Sequence, residues 1–268
     1  NEVDELFCAV QKLENDEIVD LINFCDNNMI RIRFLPEFFY YMSKKSVRFQ
    51  LEYNHNVPVL LIRREPLESW YNQVIKRAFD VIFSFLVIVL ILSWMVPILG
   101  LLIKLESRGP IFFIQKRSGR NNKAFRMIKF RTMTVNKEAD SKQAVKNDPR
   151  ITKIGHFIRR TSIDELPNFI NVFMGKMSVI GPRPHMLKHT DEYSKIINKF
   201  MVRQFGKPGI TGLAQVSGYK GQTEDPIKMQ KRVEKDVQYL ENWHFGLDVQ
   251  IIFMTIWQMF FEKNEDYF

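Results

Sequence analysis

Phe79 to Ile103 reads FDVIFSFLVIVLILSWMVPILGLLI, and Asp80 is its only charge. As a helix this stretch would extend about 37 Å, longer than the hydrocarbon core of a bilayer. Pro97 lies inside it, where the ring removes a backbone donor and bends a helix. Basic residues flank it on both sides, Arg63, Arg64, Lys76 and Arg77 before it and Lys104, Arg108, Lys116 and Arg117 after. Positive flanks favour the cytoplasmic side of a membrane. With both flanks there, the segment enters one leaflet, turns near Ser93 to Pro97 and returns. The same residues leave open an ordinary spanning helix with a proline kink.

The segment divides the chain. On its N-terminal side, residues 1–70 alternate between strand and helix. Glu5–Val10 and Val57–Ile62 read as strands, Ile30–Phe34 alternates as a strand does, and Glu17–Asn27 has helical apolar spacing at Ile18, Leu21, Ile22 and Cys25. The first glycine of the chain is Gly100, so residues 1–70 have no GxGxxG or P-loop turn for a nucleotide. A structural or regulatory role follows. On the C-terminal side, 106–268 holds nearly all the glycines and most of the excess charge. Between Lys104 and Arg160 there are 16 Lys and Arg against 4 Asp and Glu, while the whole chain carries +9. The tail from Leu247 to Phe261 reads as a helix against the bilayer surface or the domain core.

A basic surface of this kind calls for a polyanionic partner: nucleic acid, anionic lipid or a phosphorylated substrate. Hydrophobic residues make up 46% of the chain, which excludes disorder. Cys8 and Cys25 lack metal-ligand spacing and read as reduced core residues. His185 and His189 lie four apart without a third ligand nearby, so zinc is not expected. No G-x-S-x-G and no Cys–His nucleophile signature is present. The chain starts at Asn1 without a signal peptide, which reads as a fragment lacking its N-terminal part.

Four motifs carry candidate chemistry. Arg159 to Pro167 (RRTSIDELP) sets Asp164 and Glu165 just after paired arginines at a helix start. Ser162 and Glu165 have the spacing of a capping box. The same placement suits a carboxylate that attacks phosphorus or binds a metal, with arginines to clamp phosphate. Met177 to Pro184 (MSVIGPRP) presents Arg183 on a stiff turn. Lys207 to Lys220 (KPGITGLAQVSGYK) carries Gly209, Gly212 and Gly218, which allow close backbone approach to a ligand. Arg117 to Arg131 reads as a strand with cations on one face, and Lys129 or Arg131 is placed to meet a phosphate.

In this order the motifs closely resemble the bacterial sugar transferase family of monotopic polyprenyl-phosphate phosphoglycosyl transferases. The resemblance covers about residues 74–268 and rests on the apolar segment with its proline, KFRTM at 129–133, SIDELP at 162–167, VIGPRP at 179–184, PGITG at 208–212 and Ala214-Gln215. It implies an α/β fold in three parts. Residues 1–70 are the C-terminal part of a Rossmann-like unit, 71–105 a lead-in and re-entrant membrane helix hairpin, and 106–268 a monotopic α+β catalytic domain.

The resemblance further implies a Mg²⁺-dependent transfer of a hexose phosphate from a UDP-sugar to undecaprenyl phosphate at the bacterial inner membrane, on its cytosolic face. Asp164 is then the nucleophile and Glu165 the metal ligand, while Lys129, Arg159 and Arg183 contact phosphate. Tyr219 stands where many members place arginine, and Lys220 takes that role. Leu213 stands where tryptophan is common. The expected partners are the UDP-sugar, the lipid phosphate and membrane lipid, with no nucleic acid and with a homodimer left open. The rival reading is a membrane-anchored regulatory protein with a basic face for lipid or nucleic acid. Carboxylates beside Arg159 and Arg160 argue against it, since they repel a phosphate backbone. A metal-dependent lipid phosphatase is a third reading.

Overall fold

The structure, a computed structural model, describes residues 3–8, 15–34, 50–54, 57–61, 65–135, 148–221 and 225–261. Ala9, Val10, Ile62, Arg63 and Arg64, part of the expected strands and basic flank, lie outside them.

The N-terminal unit is a small mixed sheet with one helix. Strands β1 (Glu5–Cys8) and β2 (Arg31–Phe34) pair in parallel, joined through α1 (Asn15–Asn27). Asp16 and Glu17 in the first turn of α1 suit the positive end of the helix dipole. Ile18, Ile22 and Cys25, at helical spacing, bury against Cys8, Ile32 and Phe34. Both cysteines are free and buried. Strands β3 (Gln50–Asn54) and β4 (Val57–Leu61) form an antiparallel hairpin, giving the order β1-β2-β4-β3. The sequence pattern had not marked β3.

The apolar segment is helical throughout Trp70–Glu106. It comprises α2 (Trp70–Val87), a wider π-helical turn at Ile88–Leu92, and α3 (Ser93–Glu106). Pro97 leaves the Ser93 carbonyl without its usual helical donor, so ladder weakness extends from 88 to 97. Among the described residues this is the one helix long and apolar enough to cross a membrane. One face packs into the core through Leu92, Leu99 and Ile103. The other stands clear of the protein, with Leu90 64%, Leu101 61% and Leu105 74% exposed.

Strands β5 (Phe112–Ser118) and β6 (Ala124–Phe130) form an antiparallel hairpin closed at Gly119–Lys123. The basic run is thus a turn and a strand rather than one strand. Phe125, Met127 and Lys129 share the inward face of β6, so Lys129 lies on the core side and not on a separate cationic face. The chain continues through α4 (Lys153–Arg160), α5 (Asn168–Phe173), β7 (Ser178–Ile180), α6 (Leu187–Ile196), β8 (Gly209–Thr211), α7 (Leu213–Val216), α8 (Pro226–Glu241) and α9 (Phe245–Phe261). Strands β7 and β8 pair in parallel.

Polar hooks fasten the apolar helix to this domain. Lys76 donates to Asp248 Oδ2 at 2.7 Å and to Tyr239 Oη at 3.0 Å. The Tyr239 hydroxyl and Trp243 Nε1 also donate to Asp248. Asp80 Oδ1 accepts from Ser178 Oγ and the Val179 N–H, at 3.0 and 2.9 Å. Arg77 donates to the Val172 and Phe173 carbonyls. At the far end, Arg131 donates to the carbonyls of Ile103, Ser107 and Arg108, capping α3. Glu106 in return accepts from the Lys153 and Ile154 N–H groups at the start of α4. Arg131, read from sequence as a candidate for phosphate, is a helix cap.

Asp248 is fully buried, and removing its cation leaves an unpaired charge inside the protein. Lys76→Met is expected to lose about 3–5 kcal/mol, and Asp248→Asn added to it should restore most of that loss. Thermal unfolding in detergent checks this, and a double variant no more stable than Lys76→Met would count against the pairing.

Candidate active site

Asp164 and Glu165 lie in a short 3-10 turn, Ile163–Glu165, between α4 and α5. The capping box does not form. Ser162 sits at φ 56° and makes no side-chain cap; only its carbonyl accepts the Glu165 N–H. A left-handed serine is uncommon and swings the chain sharply out of α4. That bend turns both carboxylates back toward β6.

The opposing cations come from two other elements. Lys129 donates to Glu165 Oε1 at 2.7 Å and lies 3.6 Å from Asp164 Oδ2. Arg183 grips Glu165 with both terminal nitrogens, at 2.7 Å to Oε1 and 3.2 Å to Oε2. Arg159, half-buried, is a third cation felt by Asp164, and its Nε donates to Thr132 Oγ1 at 2.7 Å. Lys129, Arg159, Asp164, Glu165 and Arg183 therefore meet. Lys220 does not join them: it donates to Gln258 Oε1 on α9 at 2.6 Å.

Two devices hold these pieces in register. Asn171 on α5 accepts from the Ile128 N–H and donates to the Arg126 carbonyl, at 3.0 and 2.7 Å. It thereby replaces a missing strand along the edge of β6 and locks the turn of Asp164 to the strand of Lys129. The second device is glycine. A Cβ on Gly209 would strike the Gly181 backbone, and one on Gly212 would strike the Gly181 carbonyl. These glycines let two loops of this chain touch, where the sequence pattern suggested room for a ligand. The Gly181 N–H donates to Thr211 and the Gly209 N–H to Pro182, which fixes the turn that presents Arg183. Arg203 adds a bond to the Arg183 carbonyl at 2.8 Å and is itself held by buried Asp236.

The neighbouring carboxylates have opposite electrostatics. Burial raises the pKa of Glu165, but Arg183 and Lys129 outweigh it and hold the group far below the usual carboxylate range. Burial pushes Asp164 up, Glu165 adds to the rise, and the more distant Lys129 and Arg159 only partly offset it. Asp164 is thus an anion the fold leaves under-compensated. Glu165 is a fixed anion whose Oε2 takes the longer Arg183 bond. Among the described residues no cluster of three or more His, Cys, Asp or Glu could hold a metal. Two carboxylates suffice for Mg²⁺ when substrate phosphates and water complete its shell, so the donor set fits that ion. His185 and His189 pack edge-on against Tyr193.

The sequence model of the family described as bacterial sugar transferase matches residues 71–262. The chain is 38% identical over 263 residues to a UDP-glucose:undecaprenyl-phosphate glucose-1-phosphate transferase of Klebsiella pneumoniae, covering 98% of this chain and 56% of that protein. It is 39% identical to the Escherichia coli K12 protein of the same name, covering 97% and 55%. It is 42% identical over 184 residues to a UDP-N-acetylgalactosamine-undecaprenyl-phosphate N-acetylgalactosaminephosphotransferase of Aeromonas hydrophila, covering 68% and 43%. The chain thus spans about half the length of the full-length glucose-1-phosphate transferases it matches.

The opposite pKa shifts give opposite stability effects. A raised carboxyl pKa means that the ionised group weakens the fold above that pKa, and the penalty fades as pH falls through it. A depressed one contributes stability above the ordinary carboxylate range, lost as pH falls toward the folded value. At pH 7, with chelator and no substrate, Asp164→Asn should raise the unfolding temperature. Glu165→Gln should destabilise by about 1–3 kcal/mol. Thermal unfolding checks both signs, and the Asp164→Asn gain should disappear on acidification.

Proposed function

The chain belongs to the bacterial sugar transferase family, and we propose that it moves a sugar phosphate from a UDP-sugar to undecaprenyl phosphate, releasing UMP. The observation that carries this reading is the asymmetry of the dyad. Glu165 is clamped between Lys129 and Arg183, while Lys129 stands off at 3.6 Å from Asp164.

An Asp164 carboxylate oxygen attacks the β-phosphorus of the UDP-sugar. The bond from that phosphorus to the bridging oxygen breaks, and UMP leaves with the electron pair. An oxygen of the lipid phosphate then attacks the same phosphorus, and the bond to Asp164 breaks. The product is a diphosphate-linked sugar, and the Asp164 carboxylate is regenerated. Lys129, Arg159 and Arg183 surround the phosphates, and such positioning and charge are what phosphoryl transfer requires. Mg²⁺, held by Glu165, would neutralise diphosphate charge. Burial keeps the attacking carboxylate poorly solvated and reactive. We assign Lys220, at the foot of α9, to the lipid phosphate.

The topology we propose is monotopic. Lys76 and Arg77 at one end of the helical run, and Glu106 at the other, bind the same domain. Ends held by one body do not sit on opposite sides of a bilayer. The weakened stretch from the π-turn to Pro97 suits a run that dips into one leaflet and returns. The exposed Phe253, Trp257 and Phe261 of α9 extend the lipid-facing surface. The domain then lies on the cytosolic face of the inner membrane. Residues 1–70, as the end of a Rossmann-like unit, serve structure or regulation. Matched relatives use different sugars, so the sugar itself is left unassigned.

Intact-protein mass spectrometry after mixing with a UDP-sugar, without lipid acceptor, tests the reaction. The wild type should gain the mass of a sugar phosphate and Asp164→Asn none. Glu165→Gln should gain it slowly and respond to added Mg²⁺. An adduct on Asp164→Asn would move the nucleophile elsewhere.

A further inference from the structure

The N-terminal unit meets the catalytic domain along Lys199 and the 3-10 segment Phe200–Phe205 that follows it. Asn27, the last residue of α1, accepts the Lys199 N–H on Oδ1 at 2.8 Å. Lys199 has a left-handed backbone, at φ 61°, and starts the segment without a side-chain cap. That conformation is uncommon for lysine and persists where neighbours impose it. Asp26 adds an ion pair to the Lys199 ammonium at 3.8 Å, weak because the lysine is exposed. At the other end, the Arg31 guanidinium lies over the buried Phe205 ring, 4.7 Å from its centre. Arg31 is itself oriented by Glu65, 3.3 Å away. The N-terminal unit therefore holds this segment at both ends.

Arg203 lies between those ends. It is 3% exposed, so it has no surface for a substrate. Its Nη2 donates to the Arg183 carbonyl at 2.8 Å and lies 2.7 Å from Asp236 Oδ2. The Arg183 guanidinium in turn grips Glu165. The Val202 N–H donates to the Lys199 carbonyl at 3.1 Å, which ties Lys199 into the turn that carries Arg203. A contiguous run of contacts thus leads from α1 to the dyad, the kind of connection through which two sites can be coupled.

We infer that Asn27 and Arg31 are positioning residues for the transfer. They set the segment that carries Arg203, and through it the turn that aims Arg183 at Glu165. The inference rests on the transferase reading and gives residues 1–70 a stated part in it. A misplacement of ~1 Å that starts far from the chemistry can cost ~100-fold in rate. Asn27 and Arg31 share the hold on one segment, so losing either costs less than that.

Hydrogen exchange and turnover, both on the whole protein in detergent, test the assignment. Asn27→Leu removes the acceptor for the Lys199 N–H. It should speed amide exchange in 199–205 and also in the turn 181–186, and leave α5 unchanged. With a UDP-sugar and lipid phosphate it should lower kcat about tenfold, with KM for the UDP-sugar within threefold. Asn27→Asp keeps the acceptor oxygen and should stay within about twofold of the wild type. Arg31→Met keeps an apolar chain over Phe205 without the charge and should lower kcat about threefold. In an Arg183→Ala background, Asn27→Leu should cost less than about twofold more, because its effect passes through Arg183. If Asn27→Leu does not fold, Arg31→Met with and without Arg183→Ala decides. Faster exchange confined to 199–205, or a kcat loss of equal size with and without Arg183, would overturn the inference and leave a contact that only stabilises. Coupled exchange of 199–205 and 181–186, in a protein that releases no UMP from any UDP-sugar, would instead sustain the link from Asn27 to the Arg183 turn and sink the transfer reading.

Discussion

An apolar helix of 37 residues must be held onto a polar domain, and the rest of the structure depends on how that is done. One face packs on the core through Leu92, Leu99 and Ile103, and a few buried polar bonds near the ends of the helix fix its position there. Lys76 with Asp248, and Asp80 with Ser178 and Val179, fix the first end. Arg131 and Glu106 fix the second. These bonds also orient the site. Asp80 grips β7, which runs straight into the turn of Arg183. Glu106 caps α4, which carries Arg159 in its last turn and leads to Asp164. The two walls of the dyad are therefore referred to two ends of one helix.

Within those walls the physics is an imbalance of charge. Three cations face two adjacent carboxylates, and geometry gives nearly all their benefit to Glu165. The Arg183 fork and Lys129 both close on Glu165, and Asp164 receives what is left. A site optimised for stability would pair both. Leaving one anion buried and under-paired reduces stability but keeps it available to attack, a common trade at active sites. The same parsimony runs through the scaffold, where Asn171 does the work of a strand and glycines replace side chains between β7 and β8.

Much of this was legible in the sequence because its signals are local. The run from Phe79 to Ile103 with a single charge, the helical spacing of Ile18, Ile22 and Cys25, and the adjacency of Asp164 and Glu165 after two arginines are readable in one dimension. The rest depends on partners far along the chain. Asp80 looked like a stray charge near one end of an apolar helix, and only its bonds to β7, about a hundred residues on, explain it. Arg131 comes just past the end of β6 and turns to the carbonyls that end α3, while Lys129, two residues before it, reaches the dyad. Ser162 fitted a capping box by spacing, but its left-handed backbone put the hydroxyl elsewhere. Gly209 and Gly212 promised close approach, and the sequence could not say to what. Asn171 carried no signal, since an asparagine on a short helix is ordinary until a strand edge lies opposite.

The covalent step at Asp164 is the centre of the mechanism, and isotope exchange tests it most directly. Labelled UMP is incubated with the protein, Mg²⁺ and an unlabelled UDP-sugar that supports turnover, with no lipid phosphate present. A reversible phosphosugar intermediate on Asp164 passes label from UMP into the UDP-sugar, and Asp164→Asn abolishes the exchange. No exchange in a wild-type protein that releases UMP once lipid phosphate is added would contradict the intermediate and point to direct displacement.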